Sequence, residues 1–163
     1  MGQMIKVGMA DLKICKAPDT ITTLGLGSCV GIAIRDPQTK VGGLAHIMLP
    51  DSTQITSQSL NIPKFADTGV KELVDQIVKA GGNRSRLVAK IAGGAQMFAF
   101  KGSANELMAV GERNAIAVRK VLSELKIPIL ADDCGENYGR TVIFEPETGD
   151  YVIKAVGKPI KTI

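Results

Sequence analysis

The chain predicts an α+β fold, with mostly antiparallel or mixed sheets covered by two amphipathic helices. Three observations carry this expectation. Strand signals outnumber long helical ones. Turn residues separate neighbouring apolar runs at hairpin spacing. Two stretches carry apolar residues at the period of a helix.

Ile5, Val7 and Met9 alternate with Lys6 and Gly8, a short strand signal; Leu12 and Ile14 alternate with Lys13 and Cys15, another. Residues 20–24 are strand-like and rich in β-branched side chains. Gly25-Leu26-Gly27-Ser28 follows as a flexible passage. Residues 30–34 and 44–49 are apolar runs that fit strands buried on both faces. Asp36-Pro37-Gln38-Thr39-Lys40 lies between them as a five-residue hairpin turn. Residues 51–59 are rich in Ser, Thr and Gln and read as a surface loop. From 61 to 79 the period becomes helical, with Phe65, Val70, Leu73, Val74 and Ile77 in one stripe. Pro63 fits the first turn of that helix, and Gly81-Gly82 ends it. Residues 87–91 form a strand ending at Gly93-Gly94. Residues 111–125 form the second helix, with Ala115, Val118, Val121, Leu122 and Leu125 inward, and Ile127-Pro128 stops it. Residues 129–131, 141–145 and 151–155 are short strands. Glu147-Thr148-Gly149-Asp150 joins the last two as a hairpin.

With 163 residues, 45% hydrophobic and 22% charged, the chain reads as one domain, 1–163, with a real core. No apolar run approaches the ~20 residues of a membrane span. The start, Met1-Gly2-Gln3-Met4-Ile5-Lys6, lacks the apolar stretch of a signal peptide, and Lys6 stands where myristoylation wants Ser or Thr. The chain is therefore read as cytosolic, with no insertion into a membrane. A net charge of +4 permits an acidic partner. Lys and Arg are dispersed and aromatic residues make up only 4%, so nucleic-acid binding is not expected. Cys15, Cys29 and Cys134 are an odd number and read as thiols, not as a disulfide framework.

The single histidine, His46, follows Cys29 across the first hairpin. Directly paired strand residues have Cβ atoms roughly 4.5–5.5 Å apart, so a thiol and an imidazole can share a proton there. That is a cysteine nucleophile with its general base, and an ion pair with a lowered thiol pKa is expected of it. The plain alternatives are a buried cysteine acting as a small hydrophobe and a core histidine satisfied by a carbonyl. Face parity is the obstacle. With Arg35 paired to Val41 around a five-residue turn, Cys29 falls opposite Ile47, and His46 points to the other face. The reactive arrangement then needs a one-residue bulge or irregular backbone at residues 27–29. A third group must hold the imidazole in one tautomer, and Thr22 and Thr23 on the preceding strand are the candidates. Backbone N–H groups of the glycine-rich lead can stabilise an oxyanion.

Other chemistry is poorly supported. Three cysteines and one histidine lack the spacing of zinc ligands, so no metal is expected. Gly25-Leu26-Gly27 and Gly93-Gly94 are incomplete as nucleotide loops, so no cofactor is expected either. Cys134 lies among Asp133, Gly135 and Glu136, acidic company that disfavours its thiolate. Cys15 sits beside Lys16, which favours its thiolate, but has no evident base.

Thr23-Leu24-Gly25-Leu26-Gly27-Ser28-Cys29-Val30, followed by Gly43-Leu44-Ala45-His46-Ile47-Met48-Leu49-Pro50, resembles the chemoreceptor glutamine deamidases, CheD. The likeness continues through Lys64-Phe65-Ala66-Asp67, Gly93-Gly94-Ala95-Gln96-Met97-Phe98, Gly111-Glu112-Arg113-Asn114 and Gly139-Arg140-Thr141-Val142. The resemblance implies that Cys29 is the nucleophile, His46 the base and Thr23 the residue that orients the histidine. It implies a fold similar to the toxin-type cysteine deamidases, with sheets packed together and flanked by helices. It implies deamidation of glutamines in the helical cytoplasmic region of methyl-accepting chemotaxis receptors, through a thioester and without a cofactor. The CheC phosphatase is implied as a second partner, and a cytoplasmic protein recruited to receptor clusters as the setting. The loop at 51–59 is a candidate rim for a protein substrate. A non-enzymatic adaptor binding receptors and CheC is the main rival function; another cysteine hydrolase or a transglutaminase is the other.

Overall fold

The computed structural model describes residues 2–52, 61–96 and 110–163. Within them lie strands β1 (Met4–Val7), β2 (Asp11–Lys16), β3 (Thr20–Leu26), β4 (Val30–Arg35) and β5 (Val41–Ile47). Helix α1 (Ala66–Lys79), strand β6 (Val88–Gly93) and helix α2 (Val110–Glu124) follow. Strands β7 (Ile129–Cys134), β8 (Arg140–Phe144), β9 (Tyr151–Lys154) and β10 (Lys161–Thr162) complete them. The strands form two five-stranded sheets, ordered β1-β3-β8-β9-β10 and β2-β5-β4-β6-β7. Each sheet is mixed: β1 runs parallel to β3 and β6 parallel to β7, while the other pairs are antiparallel. The α+β architecture with packed sheets and two helices is the expected one.

The second sheet is buried on both faces. Toward the helices it presents Val30, Ile32, Ile34, Ala45 and Ile47, packed with Val70, Leu73 and Val74 of α1 and Val118 and Leu122 of α2. Toward the first sheet it presents Cys29, Ala33, Leu44 and Ala92, packed with Ile21, Leu26, Val142, Phe144 and Tyr151. Burial on both faces explains why β4 and β5 read as continuous apolar runs. Among the described residues, no helix is long and apolar enough to cross a membrane.

Several boundaries differ from the expected ones. The stretch at 61–79 is not one helix. A short 3-10 turn covers Ile62–Lys64, Phe65 is extended, and α1 begins at Ala66. The interruption has a cause: Lys64 O accepts from the N–H groups of Met48 and Leu49, and Ala66 N–H donates to Leu49 O. The backbone there is pulled out to pair with the chain leaving β5. The first strand stops at Val7, and Met9 lies in the turn that Ala10 closes at φ 55°. β3 continues through the glycine passage to Leu26, with an irregularity at Gly25, whose φ is +72°. β7 runs on to Cys134, and β10 was not anticipated. The polar loop expected at 51–59 lies outside the described residues from position 53 onward, as do Met97 and Phe98.

Candidate active site

The register of the β4–β5 hairpin decides which side chains can meet. Asp36 N–H donates to Val41 O at 2.9 Å, so Asp36 itself pairs and the loop shortens to residues 37–40. Lys40 closes that loop at φ 60°. Arg35 consequently pairs with Gly42, not Val41, and Gly31 lies directly opposite His46. This corrects the expected register by one residue, and such a step turns every side chain to the other face. Cys29, Gly31, Leu44 and His46 now share the face between the sheets. No bulge in the hairpin is needed. Cys29 and His46 are diagonal neighbours, a relation spanning roughly 7–8 Å between backbone positions and within reach of ring side chains.

Asp36 holds this register in place. Its carboxylate accepts from Arg86 Nε (3.1 Å) and Nη2 (2.8 Å), Asn83 N (2.8 Å) and Gln38 N (2.8 Å), and its side chain is fully buried. Arg86 foremost, with those N–H groups, keeps the carboxyl well below the ordinary carboxylate range. Asp36→Ala is expected to destabilise the fold by about 2–3 kcal/mol, since buried N–H groups lose their acceptor. Because the folded-state pKa is depressed, the contribution is whole above the unfolded pKa of about 3.9 and is lost as pH falls toward the folded value. Urea denaturation should therefore show the gap between wild type and variant narrowing from about pH 5 to pH 2. A gap independent of pH would contradict the assignment.

His46 is fully buried, and its ring is held from the facing sheet. Thr23 on β3 donates its hydroxyl proton to Val7 O at 2.8 Å. The same oxygen lies 2.7 Å from His46 Nδ1. With the hydroxyl proton spent on a carbonyl, the oxygen can only accept, so Nδ1 carries the ring proton and Nε2 keeps its lone pair. That Nε2 is buried and makes no hydrogen bond among the described residues. Thr22, the other candidate, instead donates to Val142 O at 2.7 Å and does not meet the ring.

Cys29 lies at the entry to β4 and is 8% exposed. Its loop is tied down by its carbonyls: Gly27 O accepts from Ala95 N (2.9 Å), Cys29 O from Gly94 N (2.8 Å), and Ser28 O from Asn114 Nδ2 (2.8 Å). The N–H of Ser28 donates to no backbone acceptor among the described residues, while the N–H of Cys29 interacts with its own sulfur. Burial pushes the Cys29 thiol up and the His46 imidazole down, so both rest in the neutral form. The ion pair expected from the sequence is thus replaced by a neutral thiol and a neutral base. No hydrogen bond joins the two groups, and contacts between catalytic groups often tighten only as the reaction proceeds.

Opposite His46 there is room for no side chain. A Cβ on Gly31 would stand 2.7 Å from Tyr151 Oη, which donates to Gly31 O at 2.9 Å. Sequence reasoning missed this contact and three other supports of the loop. The Gly93-Gly94 pair, dismissed as a nucleotide loop, backs the cysteine segment: a Cβ on Gly93 would meet Cys29 O at 2.2 Å. Arg140, with a fully buried side chain, binds Asp133 Oδ2 at 3.0 Å and donates to Gly93 O at 3.3 Å and Gly135 O at 3.1 Å. Asn114 is the third, and its signal was available: an amide inside the apolar stripe of a helix. The other thiols are unlike Cys29. Cys15 is pushed up to about 11 by burial and by Asp19, which corrects the expected influence of Lys16. Cys134 is pushed far up by burial first and Asp132 second.

The model of the CheD chemotactic sensory transduction family matches residues 48–155. A protein of Lachnoclostridium phytofermentans, named probable chemoreceptor glutamine deamidase CheD, is 61% identical over 163 residues, 100% of each chain. The chain belongs to the CheD family. Two further CheD proteins, each named chemoreceptor glutamine deamidase, are similar to it. That of Halalkalibacterium halodurans is 50% identical over 163 residues, 100% of each chain. That of Bacillus subtilis is 48% identical over 160 residues, covering 98% of this chain and 96% of its own. The span shared with the Lachnoclostridium and Halalkalibacterium CheD proteins includes the hairpin of Cys29 and His46 and the strand of Thr23.

Proposed function

We propose that this protein is an enzyme, a chemoreceptor glutamine deamidase, with Cys29 as nucleophile, His46 as general base and acid, and Thr23 as the residue that orients the imidazole. One observation carries the assignment of roles: His46 Nδ1 is committed to Thr23, which leaves the unpartnered Nε2 on the face shared with Cys29. The names of the CheD relatives supply the substrate class.

The chemistry follows from the neutral pair. Nε2 takes the thiol proton as sulfur attacks the glutamine amide carbon. A C–S bond forms, and the carbonyl electrons move to oxygen. The N–H of Ser28 can receive that oxyanion, joined by the N–H of Cys29 as the sulfur turns to the substrate. Nε2–H then protonates the amide nitrogen, the C–N bond breaks, and ammonia leaves a thioester on Cys29. Water, deprotonated by Nε2, attacks the thioester; the C–S bond breaks, the sulfur recovers its proton, and glutamate is released. The Nδ1 contact to Thr23 persists throughout and holds the ring as it gains and loses charge. The chemistry requires no cofactor. The 8% exposure of Cys29 favours a slim amide side chain over a bulkier main chain.

The product adds a negative charge to a receptor helix, enough to bias a two-state receptor by local electrostatics. On this reading the whole chain, 1–163, acts as one deamidase domain in the cytoplasm, recruited to receptor clusters by its substrate, with the CheC phosphatase as a second partner. Incubation with a receptor cytoplasmic fragment, followed by peptide mapping, tests the activity. Conversion of specific glutamines to glutamate with matching ammonia release is expected; an unmodified fragment would refute it.

Thr23→Val keeps the shape of the side chain and removes the acceptor. The ring then loses its orientation and its fixed tautomer. A fall in kcat of about 10²-fold with little change in KM is expected from steady-state ammonia release. A variant with wild-type kcat would leave Thr23 as an ordinary strand residue.

A further inference from the structure

Asn114 is fully buried on α2, among side chains that are otherwise small or aliphatic. Its single Nδ2 group donates to two carbonyls, Ser28 O at 2.8 Å and Met48 O at 3.0 Å. Those carbonyls have separate addresses. Ser28 immediately precedes Cys29, and Met48 lies two residues beyond His46. Both positions fall outside the paired ends of β4 and β5, whose last register is Val30 opposite Ile47. No strand bond therefore clamps the two chains beyond that point, and the amide bridges them instead.

The helix that carries Asn114 cannot drift. Gly111, one turn earlier, lies so close to the Gly94-Ala95 turn that a Cβ there would meet Ala95 O at 2.3 Å. That turn in turn binds Gly27 O and Cys29 O. The cysteine loop is thus gripped by α2 directly through Asn114 and indirectly through the glycine turn.

We propose that Asn114 is a positioning residue, whose one amide group spans the strand ends and sets the separation of the Cys29 sulfur from His46 Nε2. The proposal rests on the assignment of those two groups as the reacting pair. Two properties fit a positioning role better than a space-filling one. A buried amide costs stability unless bonded, whereas a leucine or alanine would fill the stripe without that cost. And the bonds go to the two segments that flank the reacting side chains, not to the helix's own neighbours.

The test uses two readouts on the full chain. The first is the pH dependence of iodoacetamide alkylation at Cys29, followed by peptide mass mapping so that Cys15 and Cys134 are excluded. The second is the kcat and KM of ammonia release from a receptor cytoplasmic fragment. The variants are Asn114→Ala and Asn114→Asp; the latter keeps the shape but loses the donor. Val118→Ala, in the aliphatic core one turn further along the same helix, is the structural control. Both Asn114 variants are expected to lower kcat at least tenfold with KM within about twofold. Their alkylation profiles should shift toward that of His46→Ala. Val118→Ala should leave both readouts near wild type at a comparable loss in Tm. A wild-type profile and kcat in the Asn114 variants would overturn the proposal. So would an equal effect of Val118→Ala, or failure of both Asn114 variants to fold, either of which makes the residue structural. Should wild type release no ammonia, the deamidase reading falls, while the alkylation profiles still decide the role of Asn114.

Discussion

Cys29→Ala is expected to release ammonia from a receptor cytoplasmic fragment at least about 10³-fold more slowly than wild type, since the proposed covalent route needs the Cys29 sulfur as its nucleophile. The fold should tolerate the change. The side chain is small and lies at the end of β4, so a stability loss of about 1 kcal/mol or less is expected, read as a small shift in urea midpoint. Receptor binding, measured by pull-down or calorimetry, should persist. These outcomes separate an enzyme from an adaptor: an adaptor retains its whole effect without the sulfur. Cys29→Ala with wild-type ammonia release would remove the thiol from the mechanism. Mass mapping also separates deamidation from transglutamination, in which the product gains the mass of an acceptor amine.

His46→Ala carries the second large effect. Loss of a positioned general base and acid costs about 10²–10⁴ in kcat. The sign of the pH dependence follows from burial. The buried imidazole titrates below the ordinary histidine value of about 6.5, so it stays neutral and basic to lower pH. The acid limb of kcat/KM should therefore fall below pH 6.5. Stability has the matching sign: the unfolded chain takes up a proton at His46 near pH 6.5 that the folded chain refuses, so folding weakens as pH drops through that value. An acid limb at or above pH 6.5 would mean that another group sets it.

Much of the architecture was legible because burial on both faces leaves a plain mark. The runs of β4 and β5 are apolar apart from Arg35 and His46, and the stripes of α1 and α2 repeat at helical spacing. Cys29 and the single histidine, His46, stood out as a thiol and an imidazole on the two arms of one hairpin. Their geometry was less legible. A lysine at φ 60° and a buried aspartate that pairs instead of turning shortened the loop by one residue, and that one residue reversed the face. Periodicity carries no information on either point. The choice between Thr22 and Thr23 depended on which face of β3 meets β5, a fact about sheet packing that strand propensity does not encode. The division of β1 and β2 between different sheets, although a short turn joins them, is likewise a tertiary outcome. β10 pairs over only two residues, too few for an alternating pattern. Asn114 was visible as a polar residue in an apolar stripe, but its partners are separated from it by 86 and 66 residues.

Hydroxylamine trapping during turnover tests the covalent mechanism most directly. Hydroxylamine intercepts a thioester, so the modified glutamines should emerge partly as glutamyl hydroxamates, in a share that rises with hydroxylamine concentration and vanishes in Cys29→Ala. Glutamate as the sole product at every hydroxylamine concentration, or hydroxamate formed equally by Cys29→Ala, would contradict attack by the Cys29 sulfur.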